Sequence, residues 1–317
     1  MAMRLLGAFL KLIRLPNLFF IVLTQFLFYY CILVPVLRSV GAVAKIDRLQ
    51  FILLSLASVL IAAAGYIIND YFDVNIDQVN KPKKNVVDII VSRRWAILWH
   101  FVLSGIGILL SLYISWKTGL WYIVLANFGC ALLLFGYSIS LKQKLLSGNV
   151  LISVLTSWVI LILCLSEFHL SQTETLDNNW LVAQNKIMRL GFLYAGFAFI
   201  LTLIREAIKD MEDMEGDARY GSKTMPIVWG VPATKVYVAV WMIVLLALLI
   251  AIQVYIIRFH WWWPILYCTI LIILPLAYTF LKLFRAITTK QFHYLSSITK
   301  TVMLTGILSM GFFYFYL

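Results

Sequence analysis

Nine stretches of this 317-residue chain are dominated by Leu, Ile, Val, Ala and Phe, with polar residues gathered in the gaps between them. They run approximately over 19–36, 51–68, 95–114, 120–137, 150–165, 190–204, 236–257, 261–280 and 297–317. Runs of about 20 apolar residues suit a helix crossing a bilayer. Membrane-barrel strands would alternate apolar and polar residues, and these runs do not. The pattern therefore predicts an all-α integral membrane fold of nine transmembrane helices. Between the third and fourth runs, Trp116-Lys117-Thr118-Gly119 leaves room only for a tight turn joining antiparallel neighbours. No Ser-, Gly- or Pro-rich linker divides the chain, so 1–317 reads as a single membrane-embedded domain. The first apolar run is long and lacks a small-residue cleavage site, so it reads as a retained span.

Composition agrees with the pattern. Hydrophobic residues make up 63% and charged residues 13%, with a mean hydropathy of +0.93; a soluble domain could not bury that much apolar surface. The net charge of +12 would ordinarily suggest a nucleic-acid partner. Here the basic residues flank the apolar runs and form no compact basic domain, so none is expected. If the chain weaves back and forth, 19 of the 26 Lys and Arg fall on one side. That side should be cytoplasmic, which puts the N-terminus inside and the C-terminus outside. Trp261-Trp262-Trp263 and the aromatic tail 312–316 then anchor the outer interface. The four Cys and four His are scattered singly and carry no metal-binding spacing.

Acidic residues change the picture. Of 14, four lie between Asp70 and Asp88 and six between Glu206 and Asp217. Asp70, Asp73 and Asp77 stand at i, i+3 and i+7, within about 60° of one another on a helical face. Asp210, Asp213 and Asp217 repeat that spacing, each 140 residues after its counterpart. Each set follows an apolar run, and both fall on the predicted cytoplasmic side. The offset suggests a four-helix unit used twice, around a central cavity, after one extra first helix. Like charges on one face repel, and charge at membrane depth is costly. A hard divalent cation resolves the conflict, since Mg²⁺ takes carboxylate oxygens and shares its other positions with phosphate.

Two such arms fit an enzyme acting on a diphosphate. An allylic diphosphate leaves poorly until its charge is neutralised, and two Mg²⁺ ions would do that. Lys142 and Lys209 are candidates to take further phosphate charge. Tyr66, Tyr71, Phe72 and Tyr137 are candidates for an unreactive aromatic wall around an allylic cation. Competing readings are solvated carboxylates paired with nearby Lys and Arg, a cation-coupled membrane transporter, and a terpene cyclase that forms product without an acceptor. The solvated-carboxylate reading does not explain the matched spacing of the two arms, whereas a metal-diphosphate site does.

The residues also carry a resemblance. Asn69-Asp70-x-x-Asp73-x-x-x-Asp77 resembles the first Asp-rich motif of the UbiA superfamily of intramembrane prenyltransferases. The stretch from Asp213 and Asp217 through Gly221 to Lys223-Thr224-Met225-Pro226 is similar to the second. Arg14-Leu15-Pro16-Asn17 is similar to the N-terminal signature, and Tyr137-Ser138, Leu141-Lys142 and Gly148-Asn149 to the loop after the fourth span. The resemblance implies a cavity facing the cytoplasm and open to lipid, with two Mg²⁺ ions bridging the motifs. It assigns metal and diphosphate binding to Asn69, Asp73 and Asp77, with Asp70 beside them, and to Asp213 and Asp217, with Asp210 as an additional acid. Tyr137, Lys142, Lys209 and Lys223 are the expected substrate contacts.

The second motif is most similar to those of geranylgeranylglycerol-phosphate geranylgeranyltransferases, and also to those of homogentisate prenyltransferases and chlorophyll synthases. The resemblance thus implies transfer of a geranylgeranyl-like group from its diphosphate to a lipid acceptor such as geranylgeranylglycerol phosphate. Prenylation of an aromatic quinone or chlorin precursor is the alternative. Lys81-Pro82-Lys83-Lys84 departs from the family's usual Arg-Pro and Ser-Gly continuation after the first motif, on the acceptor side of the site.

Overall fold

The computed structural model describes residues 7, 9–80, 92–168 and 178–316, apart from the side chains of Asp77, Asn80 and Asn178. The basic run after the first Asp motif, Lys81 to Lys84, lies outside the described residues, as does part of the polar stretch following the fifth apolar run, 169–177. Among the described residues the structure is helical without strands, and nine helices are long and apolar enough to cross a membrane. In chain order they are α1 (Leu15–Ser39), α2 (Arg48–Asn80), α3 (Arg93–Thr118), α4 (Trp121–Ile139), α5 (Ser147–Ser166), α6 (Asn178–Arg219), α7 (Gly230–Ile257), α8 (Trp262–Leu283) and α9 (Thr289–Tyr316).

Among the described residues each apolar run lies within one helix, to within a residue, but the C-terminal ends of two helices extend well past theirs. The second run stops near residue 68 and α2 continues to Asn80; the sixth stops near 204 and α6 continues to Arg219. At 1.5 Å per residue, helices of 33 and 42 residues reach about 50 and 63 Å, well beyond a hydrocarbon core of about 30 Å. The Asp motifs therefore sit within the projecting turns of two continuous helices.

Two spans contain a π turn: Phe28–Leu33 in α1 and Thr269–Ile273 in α8. Pro35 and Pro275 follow within two residues. A proline has no N–H for the i−4 carbonyl, and a local widening of the helix absorbs the loss. The α3–α4 connection is the expected tight turn, closed by Gly119 at φ 74°.

Three buried apolar clusters hold the helices. One, containing Ile204, Met242, Leu276 and Val302, joins α6, α7, α8 and α9. A second, containing Phe28, Leu54, Ile114, Ile123, Ile160 and Ile187, ties α1 through α6. A third, around Leu18, Ile67 and Leu103, packs α1, α2 and α3. A cavity of about 720 Å³ lies between helices of these clusters.

Candidate active site

Both Asp motifs open onto that one cavity. Its wall includes Asn69, Asp70 and Asp73 from α2, and Asp210, Asp213 and Asp217 from α6. Acids 140 residues apart in sequence thus meet across one space, as the matched spacing anticipates. The side chain of Asp77 lies outside the described residues.

On the α2 arm, Lys142 Nζ stands 2.5 Å from Asp73 Oδ1 and 3.4 Å from Asn69 Oδ1. Asn69 Nδ2 donates to the other oxygen, Asp73 Oδ2, at 2.8 Å. Lys142 owes its place to a single 3₁₀ turn, Leu141–Gln143, followed by Gly148 in the first turn of α5. A Cβ on residue 148 would fall 2.8 Å from Lys142 Cα and 3.0 Å from the Leu141 carbonyl oxygen. Only glycine lets the lysine-bearing turn close down on α5.

Asp70 is held separately, with its Oδ1 2.5 Å from Arg14 Nη2. The Arg14 guanidinium also lies 5.1 Å above the centre of the Tyr66 ring, within cation–π range. Arg14 caps α1 in a left-handed conformation, φ 52° and ψ 54°. That backbone geometry is costly for a residue with a Cβ and persists where surrounding contacts enforce it. Pro16 sits in the first turn of α1, where its missing N–H costs nothing because no intrahelical acceptor faces that position.

On the α6 arm, Glu206 accepts from Arg205 Nη1 at 2.9 Å and from Lys209 Nζ at 3.1 Å. Asn149 Nδ2 donates to Asp210 Oδ2 at 2.8 Å, linking the start of α5 to the second motif. Glu212 Oε1 is 2.8 Å from His293 Nδ1, which ties α6 to α9. After α6, Gly221 turns the chain at φ 74°, and the Lys223 N–H donates to the Gln143 carbonyl at 2.7 Å. The exit of the second motif is thereby pinned to the turn that carries Lys142.

Of the expected substrate contacts, Tyr137, Lys142 and Lys209 line the cavity beside Asn69. Lys223 does not line it; its side chain is exposed and its backbone alone serves the site. Of the expected aromatic wall, Tyr66 and Tyr137 line the cavity and Tyr71 and Phe72 do not. The structure adds Arg14, Asn149, Arg205, Glu206, His293 and Lys300, which sequence reasoning did not assign. Arg14 and Asn149 lay inside recognised motifs, while nothing in the local sequence marked Lys300.

Among the described residues, no three acidic, His or Cys side chains converge closely enough to cage a cation by themselves. The donors facing the cavity are nonetheless the right kind for a hard ion: carboxylate and amide oxygens from two rigid helices. Lys142, Arg14 and Asn149 donate to Asp73, Asp70 and Asp210 respectively, which offsets the repulsion among these carboxylates. The residues fit a Mg²⁺ site shared with an anionic ligand. Deeper in, the wall becomes apolar, with Ile21, Ile61, Leu134, Leu155 and Val159, and ends at Ser58, Asn127 and Trp158.

Comparison with known proteins agrees with this arrangement. A digeranylgeranylglyceryl phosphate synthase of Methanosphaera stadtmanae is 32% identical over 181 residues, 57% of this chain and 58% of that protein. The chain thus matches somewhat over half the length of that relative. A solved structure described as a digeranylgeranylglyceryl phosphate synthase in membranes superposes with a TM-score of 0.62 at 23% identity, covering 97% of this chain and 99% of the other. A UbiA homolog from Archaeoglobus fulgidus, solved with GPP and Mg²⁺, gives 0.56 at 14% identity over 96% and 99%. The profile of the UbiA prenyltransferase family matches residues 15–298, a span that contains every acid of both arms. With its motifs facing one cavity on a shared helical fold, the chain belongs to the UbiA prenyltransferase family.

Proposed function

We propose that this prenyltransferase moves a geranylgeranyl-like group from its diphosphate to a glycerol-phosphate lipid acceptor such as geranylgeranylglycerol phosphate, with Mg²⁺ as cofactor. The observation carrying this reading is the meeting of the two Asp arms across one cavity, with Lys142 seated on Asp73. The acceptor class follows from the similarity to the synthase named above and from the form of the second motif. Two Mg²⁺ ions would be held by Asn69, Asp73 and Asp77 on one arm and by Asp210, Asp213 and Asp217 on the other. When bound, Mg²⁺ neutralises diphosphate charge and weakens the allylic C–O bond.

The chain's own groups supply the rest. Lys142 and Lys209 offer N–H donors to diphosphate oxygens. The prenyl tail runs down the apolar wall, which excludes water from the reacting carbon. Tyr66 and Tyr137 face the head of that channel, where ring faces favour a developing allylic cation. The allylic C–O bond breaks and diphosphate leaves with its electron pair. The glyceryl oxygen forms the new ether bond, and its proton passes to the released diphosphate.

In the membrane, the reading places the N-terminus and the cavity mouth on the cytoplasmic side, following the excess of Lys and Arg there. It treats α2–α5 and α6–α9 as two related four-helix units around the cavity, with α1 added, in a single domain embedded in the cell membrane. The decisive experiment replaces Asp73 or Asp213 by Ala and supplies labelled geranylgeranyl diphosphate with either a glycerol-phosphate lipid or an aromatic acceptor. Loss of transfer in both variants, with a labelled ether lipid formed by the unaltered protein, supports the reading. Near-normal turnover in both would refute it, and labelled product on the aromatic acceptor alone would reassign the substrate.

A further inference from the structure

The cations around the cavity divide into two groups. Lys142 comes from the α4–α5 connection and is engaged with Asp73. On the α6–α9 side, Arg205 and Lys209 share one carboxylate, Glu206. Lys300 of α9 completes that side and differs from both. Its ammonium donates to the neutral Asn17 Oδ1 at 2.8 Å and lies 5.4 Å above the centre of the Phe20 ring. Among the described residues no carboxylate pairs with it, and it shares the cavity wall with Arg205 and Lys209.

Arg205 and Lys209 converge on the one carboxylate of Glu206, and Lys300 faces the same cavity without a carboxylate partner among the described residues, so like charges gather in a partly desolvated wall. Arg205 carries a further deficit. Its Nε–H is buried without an acceptor, an arrangement that native structures rarely leave unused. A group with several anionic oxygens bound here would satisfy the N–H and offset the repulsion together, and a phosphate monoester has that chemistry. The donor's diphosphate is drawn instead to the Asp arms through Mg²⁺, on the Lys142 side. An acceptor phosphate set against the Asp side chains themselves would meet like charge, whereas Arg205 and Lys300 offer it N–H donors. One turn further into the membrane, Met303 and Ile21 line the cavity beside this face and offer apolar surface to a tail attached to that phosphate.

We propose that Lys300, with Arg205, binds the phosphate of the acceptor lipid and so selects a glycerol-phosphate lipid over an uncharged alcohol or phenol. The inference rests on the acceptor class proposed above, and a binding measurement separates the two. The full-length protein, in nanodiscs and in EDTA, is titrated with geranylgeranylglyceryl phosphate, with the corresponding uncharged alcohol, and with geranylgeranyl diphosphate. The unaltered protein should prefer the phosphate lipid to the alcohol. Lys300→Met, which keeps most of the stem, should weaken the phosphate lipid about tenfold, as expected for losing a charged hydrogen bond, and leave the alcohol nearly unmoved. Lys300→Arg should restore most of the loss.

Equal weakening of phosphate lipid and alcohol in Lys300→Met would assign Lys300 a packing role and overturn the proposal. Weakening confined to geranylgeranyl diphosphate would give the site to the donor and overturn it too, as would no preference for the phosphate lipid in the unaltered protein. If the expected binding pattern appears but no prenyl group is transferred to that lipid when Mg²⁺ and donor are added, the anion site stands and the proposed acceptor falls.

Discussion

Lys142 and Asp73 are 69 residues apart in the chain, and their charged atoms are 2.5 Å apart. Their side chains are only 9% and 16% exposed, so neither charge can turn to bulk water. A partly buried pair of this kind contributes little net stability, because desolvation offsets most of the attraction. Its value lies in placement, for it presets a cation beside the first motif before any ligand arrives. Lys142→Met should lower kcat/KM for the prenyl diphosphate by about 100-fold, the usual scale for deleting one charge-stabilising donor. Steady-state assays with saturating acceptor measure this, and a change under threefold would remove Lys142 from the site.

The glycine behind that lysine gives a sharper test, because it touches no ligand. Gly148→Ala adds one carbon that meets Lys142 Cα, the Leu141 carbonyl and the Tyr137 ring at 2.8, 3.0 and 3.3 Å. Two of those neighbours are backbone and cannot rotate away, so the lysine-bearing turn must shift. Activity should fall at least tenfold, since displacements near 1 Å at a positioned group cost on that order or more. The helical circular dichroism should stay unchanged. A normal rate would mean that Lys142 does not need its present position.

Much of this was legible in the sequence. The apolar runs located all nine helices, and i, i+3, i+7 spacing put each acidic triad on one face because both lie on continuous helix. Hydropathy placed the ends of α2 and α6 many residues too early, since it stops where polar side chains begin. The backbone continues because those polar groups face a cavity and one another. Lys300 and Arg205 escaped notice for a related reason. Their significance lies in what they meet, an unsatisfied N–H on Arg205 and a neutral Asn17 on Lys300 among the described residues, and only the packing of α9 against α1 and α6 reveals it. Lys223, expected from its motif as a substrate contact, does not line the cavity and donates its backbone N–H to Gln143.

Packing between α5 and α6 sets how firmly the second arm is held. A Cβ at Gly191 would approach Cys164 Cβ to 2.8 Å, with Cys164 Sγ closer still and Phe28 beyond at 3.4 Å. Cys164 and Phe28 are fully buried, so neither can swing into open space. Gly191→Ala should therefore destabilise the protein by about 1–3 kcal/mol, the usual cost of overpacking. Thermal unfolding in detergent would register it as a lowered Tm, whereas the same change at Gly196, which meets nothing within 4 Å, should leave Tm nearly where it was.

The inner end of the cavity should set the prenyl length. Trp158 on α5 lines that end with its indole N–H buried and unpartnered, so the ring contributes as a wall more than as a donor. Ser58 beside it lies 12 residues from Asp70 on the same helix, about 18 Å along the axis. Trp158→Phe should keep the donor preference, because a ring of similar shape remains and no hydrogen bond is lost. Trp158→Ala removes most of a large side chain and should shift the preferred diphosphate toward longer tails. Competition between C15, C20 and C25 diphosphates in one assay reads this directly, and an unchanged product ratio in Trp158→Ala would move the floor elsewhere.

Removing divalent cations tests the acids as a set. With Mg²⁺ chelated, the carboxylates facing the cavity oppose a diphosphate, and only Lys142, Lys209 and their basic neighbours attract it. EDTA should therefore halt transfer and weaken donor binding, and added Mg²⁺ should restore both. Asp213→Asn should raise the Mg²⁺ concentration giving half-maximal rate, because an amide keeps the shape but loses the charge that holds a hard cation. Gly148→Ala moves a lysine and no carboxylate, so its rate should fall with the Mg²⁺ requirement unchanged. If both variants shifted the Mg²⁺ requirement equally, the cation would not be reading the carboxylates, and the division between metal-holding and phosphate-holding residues would fail.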